Sequence, residues 1–213
     1  MTAEPTTSLE IERKYDADLD TALPDWSSLP GVASVGAPER RDLDARYLDT
    51  PDRALATAAS AMRRRTGGPD EGWHLKQATP EGKLETHWPL DEQPDAEAAP
   101  AVPEAVLAAL APIARPPFVV LARIRNARTA YALRDAAGGV VAEFVDDRVV
   151  AHDALRGVET SWREWELELG PAAPASAAER AALFTAADTL VAAAGGRLAT
   201  SGSKLARALG AAS

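Results

Sequence analysis

Charged side chains at every second position of several short segments are the feature that most constrains how this chain folds. The first such segment starts at Leu9 and carries charge at Glu10, Glu12 and Lys14. Because side chains alternate between the two faces of a β-strand, these three charges share one face. Adjacent carboxylates repel each other unless a cation lies between them. This face is therefore either a solvated strand surface or part of a site for a divalent metal.

The same alternation recurs along the chain. Charges share a face at Arg63 and Arg65, His74 and Lys76, Lys83 and Glu85 with His87, Arg123 and Arg125, Glu143 and Asp147, and Glu164, Glu166 and Glu168. An ordinary half-buried sheet alternates too, but it does not explain repeated pairs of like charge. Like charges about 7 Å apart on one face are tolerated best when an opposite charge fills the space between them. We expect a closed barrel whose lumen binds a polyanion together with a divalent metal.

Several motifs follow one another over most of the chain. They are Glu10-x-Glu12-x-Lys14, Tyr47-Leu48-Asp49-Thr50-Pro51, Met62 before Arg63-x-Arg65, Trp73-x-x-Lys76, Asp147-x-Val149, Glu164-x-Glu166-x-Glu168 and Ser203-Lys204. In this order they resemble the CYTH superfamily, the triphosphate tunnel metalloenzymes. The resemblance implies an α+β fold: a closed antiparallel eight-stranded β-barrel, or tunnel, with flanking helices. It also implies a single domain over residues 1–213, with motifs from about 9 to 209.

The resemblance further implies which residues act. Basic residues would bind a triphosphate in the tunnel: Lys14, Arg63, Arg65, Lys76, Lys83, Arg123, Arg125 and Lys204. Acidic residues would bind Mg²⁺ or Mn²⁺: Glu10, Glu12, Glu85, Glu143, Asp147, Glu164, Glu166 and Glu168. The expected catalytic residues are Glu10, Glu12, Lys76, Glu164 and Glu166. Since a water activated by the metal would be the nucleophile, no serine, cysteine or histidine nucleophile is needed.

The sequence departs from the family pattern at one position and is ambiguous at another. Lys83 stands where the family often has an arginine, which keeps the charge but loses bidentate geometry toward phosphate. The alignment around Asp146 and Asp147 is ambiguous by one residue. We favour Asp147, because it lies four residues after Glu143 and shares its strand face, whereas Asp146 would point outward.

Three functions are compatible with these residues. The first is metal-dependent hydrolysis of inorganic triphosphate (tripolyphosphate) to phosphate and diphosphate. The second is hydrolysis of an organic triphosphate, such as a nucleoside or thiamine triphosphate, or adenylyl cyclase activity, which needs a site for the organic group. The segment from Asp91 to Phe118 is the one that could cover such a site. The third is a non-catalytic polyphosphate-binding module, which the many acidic residues disfavour.

Composition limits the partners. The chain has 213 residues, no cysteine and a formal net charge of −9, so disulfides and thiolate chemistry are excluded. An acidic protein is disfavoured as a non-specific binder of nucleic acid. No run of about eighteen apolar residues predicts a membrane span, and the N-terminal residues do not resemble a secretory signal. We therefore expect a cytoplasmic protein that binds a small-molecule triphosphate or polyphosphate, with its oligomeric state left open.

Local signals predict the elements that flank the strands. We expect a loop over residues 16–38, a short helix from Thr50 to Ser60 and a strand meander over residues 61–90. An acidic linker is expected from Asp91 to Pro103, followed by a helix over Glu104–Leu110. Ser176 and Glu179 form a capping box that predicts a helix ending at Ala194, before Gly195-Gly196.

Overall fold

The computed structural model describes residues 4–90 and 100–210. Its strands are β1 (Thr6–Glu10), β2 (Glu12–Ala17), β3 (Ser34–Val35), β4 (Glu39–Asp49), β5 (Ser60–Thr66), β6 (Gly72–Ala78), β7 (Lys83–Pro89), β8 (Val119–Arg134), β9 (Val140–Asp153), β10 (Val158–Leu169) and β11 (Arg197–Leu198). Its helices are α1 (Ala54–Thr57), α2 (Glu104–Leu110), α3 (Ala177–Ala194) and α4 (Lys204–Ala208), with a 3₁₀ turn at Trp26–Ser28. Most of the predicted acidic linker lies outside the described residues.

All strands belong to one antiparallel sheet with the order β1-β7-β6-β5-β4-β8-β9-β10-β2-β11, and β3 pairs with β8. The expectation of an antiparallel α+β fold is confirmed, but the expectation of a closed eight-stranded barrel is wrong. The described sheet has eleven strands and is not closed. The number differs because the first expected strand is divided at Ile11 and because two-residue strands are added at Ser34–Val35 and Arg197–Leu198.

The sheet nevertheless curls around an interior. β1 pairs with β7 and β2 pairs with β10, although only Ile11 separates β1 from β2 along the chain. The Ile11 carbonyl accepts a hydrogen bond from the Leu169 N–H at 2.9 Å, which holds the break against the end of β10. Strands from distant parts of the sheet order are thereby brought side by side. One face of the sheet becomes an inner face.

Two hydrophobic cores cover the outer face. The larger one lies beneath α3 and contains Tyr15, Phe144, Trp165 and Leu167, all of them fully buried. The second lies beneath α2 and contains Trp73 and Trp88 among other residues. Burial of such large apolar side chains is the main source of stability for a fold of this kind.

The longest helix agrees with its sequence signals. Ser176 is the N-cap of α3, and its hydroxyl accepts a hydrogen bond from the Glu179 N–H at 3.2 Å. Gly195 ends the helix in the left-handed conformation, with φ of 97°. None of the described helices combines the length and the apolarity that crossing a membrane requires.

The helix α4 packs against the inner face. Its Ala208 is buried with Ile124 of β8, Val149 of β9 and Trp162 of β10. Leu205 and Leu209 pack against the same cluster. One end of the interior is therefore filled by apolar side chains.

The turn before α1 differs from the prediction. The helix covers only Ala54–Thr57, and its N-cap is Arg53 rather than Thr50. The buried Asp49 carboxylate accepts hydrogen bonds from the N–H groups of Thr50 and Leu55 at 2.7 and 2.9 Å. It accepts a further one from Ala56 at 3.1 Å. These bonds organise the turn around one carboxylate and leave the expected helix only one turn long.

We expect Asp49→Ala to lower the free energy of unfolding by about 3 kcal/mol, because buried backbone N–H groups lose their acceptor. Chemical denaturation of wild type and variant measures the effect. Asp52→Ala is the matched control, since Asp52 is exposed on the same turn. A variant at position 49 as stable as the control would show that water replaces the carboxylate.

Candidate active site

The inner face encloses a cavity of about 400 Å³. Many charged side chains line it, among them Glu10, Glu12, Lys14, Arg53, Arg63, Arg65, Asp70, Lys76, Lys83, Arg128, Glu166, Glu168 and Lys204. These residues come from seven strands, from the turn before α1, from the residues between β5 and β6, and from α4. Charges of both signs therefore meet in one concave space, as in a site for a polyanion with a cation.

The first group of charges lies where β1 and β2 meet. Lys76 Nζ lies 2.5 Å from Glu10, and Lys83 Nζ lies 2.6 Å from Glu12. Burial opposes ionisation of Glu12, but the ammonium groups of Lys14 and Lys83 hold its pKa well below the usual range. Burial lowers the pKa of Lys14 to about 8, although Glu12 opposes the shift. The two glutamates and their lysines form a tight ionic cluster.

The second group is centred on Lys204. Its ammonium lies 2.9 Å from Asp147, 2.6 Å from Glu164 and 2.8 Å from Glu166. The hydroxyl of Ser203 caps α4 by accepting a hydrogen bond from the Ala206 N–H at 3.0 Å, which positions the lysine. Candidate ligand atoms of the three acids all lie within 4.8 Å of one another.

Arg128 joins these acids from β8. Its Nε and Nη2 lie 2.8 and 2.7 Å from the two carboxylate oxygens of Asp147, which is a bidentate pair. Its Nη2 also lies 2.8 Å from Glu166. Glu166 also accepts a hydrogen bond from Lys14, so three cations contact its carboxylate. Glu166 is the centre of the described ionic network.

Glu168 lacks an ion-pair partner among the described residues. It lines the cavity, and no ion pair to it is found within residues 4–90 and 100–210. Burial and the neighbouring carboxylates of Glu10 and Glu12 raise its pKa to about 7. Such repulsion among three acids is relieved by a cation placed between them.

A third group lies around His74 and Glu85. His74 Nδ1 lies 2.5 Å from Glu85, and its Nε2 lies 3.0 Å from the Asp70 carbonyl. Burial lowers the pKa of His74 to about 4, although the hydrogen bond to Glu85 opposes the shift. The imidazole ring lies between the Glu85 carboxylate and the Asp70 carbonyl. Lys76 lies 2.5 Å from the other oxygen of that carboxylate.

The structure brings most of the predicted site residues together. The predicted residues lining the cavity are Glu10, Glu12, Lys14, Arg63, Arg65, Lys76, Lys83, Glu166, Glu168 and Lys204. Glu85, Asp147 and Glu164 adjoin it through the ion pairs described above. Glu143 is not among the described residues that line the cavity, and it pairs with Arg41 at 2.9 Å.

Two predicted residues lie elsewhere. Arg123 and Arg125 are on the outer face of β8, where they contact Asp44 at 2.5 Å and Glu159 at 3.7 Å. We predicted that they point into the lumen, but they lie on the opposite face of the strand. Ile124 and the apolar residues around α4 occupy the inner face there. The choice between the adjacent aspartates agrees with the geometry, since Asp146 contacts Arg163 on the outer side at 2.7 Å.

Sequence reasoning missed several polar residues of the cavity wall, among them Tyr47, Arg53 and Arg128. The Tyr47 hydroxyl lies 3.3 Å from Arg63, and its pKa is lowered by Arg63 and Lys76 although burial opposes the shift. Tyr47 belongs to the Tyr47-Leu48-Asp49-Thr50-Pro51 motif. The sequence around Arg128 gives less indication of a role than the Tyr47 motif does, since only the register of β8 with β9 places Arg128 opposite Asp147.

Comparison with solved structures supports this fold. A candidate adenylate cyclase from Bacillus halodurans superposes with a TM-score of 0.60 at 19% identity, covering 94% of this chain and 97% of its own. The candidate adenylyl cyclase HpAC1 from Hippeastrum, described with a dominant triphosphatase activity, has a TM-score of 0.53 at 18% identity. That match covers 96% of this chain and 97% of the other. At such identities the likeness shows the fold alone.

The sequence comparisons are more specific. The chain is 39% identical over 221 aligned positions to the uncharacterized protein MT2285 of Mycobacterium tuberculosis, covering 98% of this chain. It spans 42% of the length of that relative. The CYTH domain family model matches residues 8–208. The chain therefore belongs to the CYTH domain family.

Proposed function

We propose that this protein hydrolyses inorganic triphosphate to phosphate and diphosphate with Mg²⁺ or Mn²⁺. The observation that carries the proposal is the convergence of lysines, arginines and glutamates in one cavity. A triphosphate carries about four negative charges near neutral pH, and its hydrolysis needs them neutralised. The cavity offers both the cations for the phosphates and the acids for a metal.

The basic residues would bind the phosphate chain. Arg63, Arg65 and Arg128 offer planar forks that suit two phosphate oxygens at once. Lys14, Lys76, Lys83 and Lys204 offer compact charges. In the structure these cations pair with carboxylates, so substrate binding exchanges carboxylate partners for phosphate oxygens.

The acidic residues fit a hard divalent cation. Oxygen ligands are those that Mg²⁺ and Mn²⁺ prefer. Glu10, Glu12, Glu166 and Glu168 line the cavity, where burial and the neighbouring carboxylates raise the pKa of Glu168. Asp147 and Glu164 adjoin them. A bound ion would supply positive charge that stabilises the charge developing on the phosphate oxygens.

The chain's own residues would orient the reactants. The ionic contacts of Lys76 with Glu10 and Glu85 hold its ammonium toward the cavity, where it can bind a phosphoryl oxygen. Ionised carboxylates can accept hydrogen bonds from the attacking water and order it. Enclosure by the sheet and α4 reduces solvent around the phosphates, which strengthens their contacts with the cations.

Hydrolysis of an organic triphosphate and adenylyl cyclase activity are the second candidate. The names of both structural neighbours favour testing it. The described cavity wall offers little for an organic group, because Tyr47 is its one aromatic side chain and the hydroxyl of Tyr47 contacts Arg63. We therefore rank inorganic triphosphate first.

The test measures phosphate release from tripolyphosphate, ATP and thiamine triphosphate, with Mg²⁺, with Mn²⁺ and with a chelator. We expect fast hydrolysis of tripolyphosphate that the chelator abolishes. The ATP reactions are also analysed for cyclic AMP. Preference for an organic substrate, or binding of tripolyphosphate without turnover in either metal, would contradict the proposal.

A further inference from the structure

We propose that Arg53 is a specificity-determining residue that binds a phosphoryl group at the opening of the cavity. The site would then prefer linear inorganic polyphosphates longer than triphosphate. This inference rests on the function proposed above, because it extends the same bound chain by one phosphoryl unit. Four features support it: the position of Arg53, the lack of a partner for its side chain within the described part of the chain, its backbone conformation and the chemistry of its neighbours.

Arg53 lies at the rim of the cavity. It lines the cavity together with Ala56 and Ala59, and all three are at least partly exposed, so this part of the wall borders solvent. The rim continues into the phosphate-binding residues. The Ala59 carbonyl accepts a hydrogen bond from the Ala78 N–H at 3.0 Å, and Ala78 is the register partner of Lys83. A polyphosphate held by Lys83 can therefore extend toward Arg53.

Arg53 differs from the other cations of the cavity wall because its side chain has no partner among the described residues. The others each form an ion pair with a carboxylate: Lys14, Arg63, Arg65, Lys76, Lys83, Arg128 and Lys204. Across residues 4–90 and 100–210, the Arg53 side chain forms neither a hydrogen bond nor an ion pair. An anion that binds Arg53 thus breaks no existing pair, and the full gain of a charge-assisted hydrogen bond is retained.

The backbone of Arg53 is in a conformation that arginine does not favour. Its φ and ψ are 63° and 41°, in the left-handed region where glycine and asparagine are preferred. The hydrogen bonds of Asp49 to three backbone N–H groups hold the turn in this shape. Backbone preference therefore does not explain an arginine here, whereas binding by its side chain does.

The neighbours of Arg53 favour a phosphoryl group over an organic group. At the rim they are Ala56 and Ala59, which offer neither an aromatic face for stacking nor a side-chain amide. A guanidinium presents parallel N–H donors that match two oxygens of a phosphate. The class of ligand that fits is thus a terminal phosphoryl group of an inorganic chain.

Calorimetric titration with tripolyphosphate and with tetrapolyphosphate, in chelator so that no turnover occurs, tests the proposal. We expect the wild type to bind tetrapolyphosphate about tenfold more tightly than tripolyphosphate, as one charge-assisted hydrogen-bonding contact predicts. Arg53→Ala should abolish this difference and leave tripolyphosphate binding within about twofold. Arg53→Lys should be intermediate. Arg40→Ala is the matched control, since Arg40 is an exposed arginine outside the cavity lining.

A second variant separates binding from folding. Arg53→Gly removes the guanidinium but suits the left-handed backbone, so it should bind like Arg53→Ala and melt no lower than wild type. Equal weakening of Arg53→Ala binding for both chain lengths, or no weakening for either, would overturn the proposal. A wild type that fails to hydrolyse tripolyphosphate would contradict the proposed function instead, and the binding difference would still be measured independently.

Discussion

Glu166→Gln is expected to reduce metal-dependent hydrolysis of tripolyphosphate by about 100-fold or more, the scale for losing a group that organises transition-state charge. The glutamate contacts three cations, Lys14, Arg128 and Lys204, and it adjoins the proposed metal ligands Asp147 and Glu164. The amide keeps the shape of the side chain but removes the charge and one acceptor. We therefore also expect a higher Mg²⁺ concentration for half-maximal activity.

Phosphate release at several Mg²⁺ concentrations measures both effects, and a thermal melt shows whether the variant is folded. Glu159→Gln is the matched control, because Glu159 is on the same strand but exposed and 3.7 Å from Arg125. The control should keep wild-type activity. If Glu166→Gln kept wild-type activity at the same Mg²⁺ concentration, Glu166 would not belong to the metal site.

Arg128→Ala is expected to lower kcat/KM for tripolyphosphate by about 100-fold, whereas Arg125→Ala should leave it unchanged within about twofold. Arg128 lines the cavity and pairs with Asp147, while Arg125 lies on the outer face of the same strand. Comparison of the two variants tests which face of β8 points into the cavity. Steady-state kinetics on both proteins gives the comparison.

Arg128→Lys separates charge from geometry at this position. Lysine keeps the charge but cannot form the bidentate pair, so its kcat/KM should lie between wild type and Arg128→Ala. A thermal melt of each variant accounts for the stability lost when Asp147 loses a partner. Greater loss in Arg125→Ala than in Arg128→Ala would contradict the placement of both arginines.

Local periodicity was sufficient to predict which side chains of β10 share a face. In β10, Glu164, Glu166 and Glu168 alternate with Trp165 and Leu167, and the structure buries the two apolar residues beneath α3. One face of this strand contacts a hydrophobic core and the other faces the cavity, so alternation in sequence maps directly onto alternation in space.

The same reasoning failed in β8 for a physical reason. It assumed that charged residues point inward, but the inner face beside α4 is apolar, with Ile124 buried against the helix. The face on which Arg123 and Arg125 lie therefore depends on where α4, about 80 residues later in the chain, packs. The periodicity within the strand does not contain this information. The division of the first strand at Ile11 likewise depends on pairing with two distant partners, β7 and β10.

The paired residues of the ionic network lie far apart in the sequence, and this separation determines when the network can form during synthesis. Lys83 contacts Glu12 across 71 residues, and Lys14 contacts Glu166 across 152. Until β10 has left the ribosome, β2, which carries Glu12 and Lys14, lacks the strand with which it pairs. Contacts of such long range form slowly. The charges of β1 and β2 therefore stay hydrated in the nascent chain. Alternating charges on an unpaired strand disfavour its aggregation with other strands before its partner is synthesised.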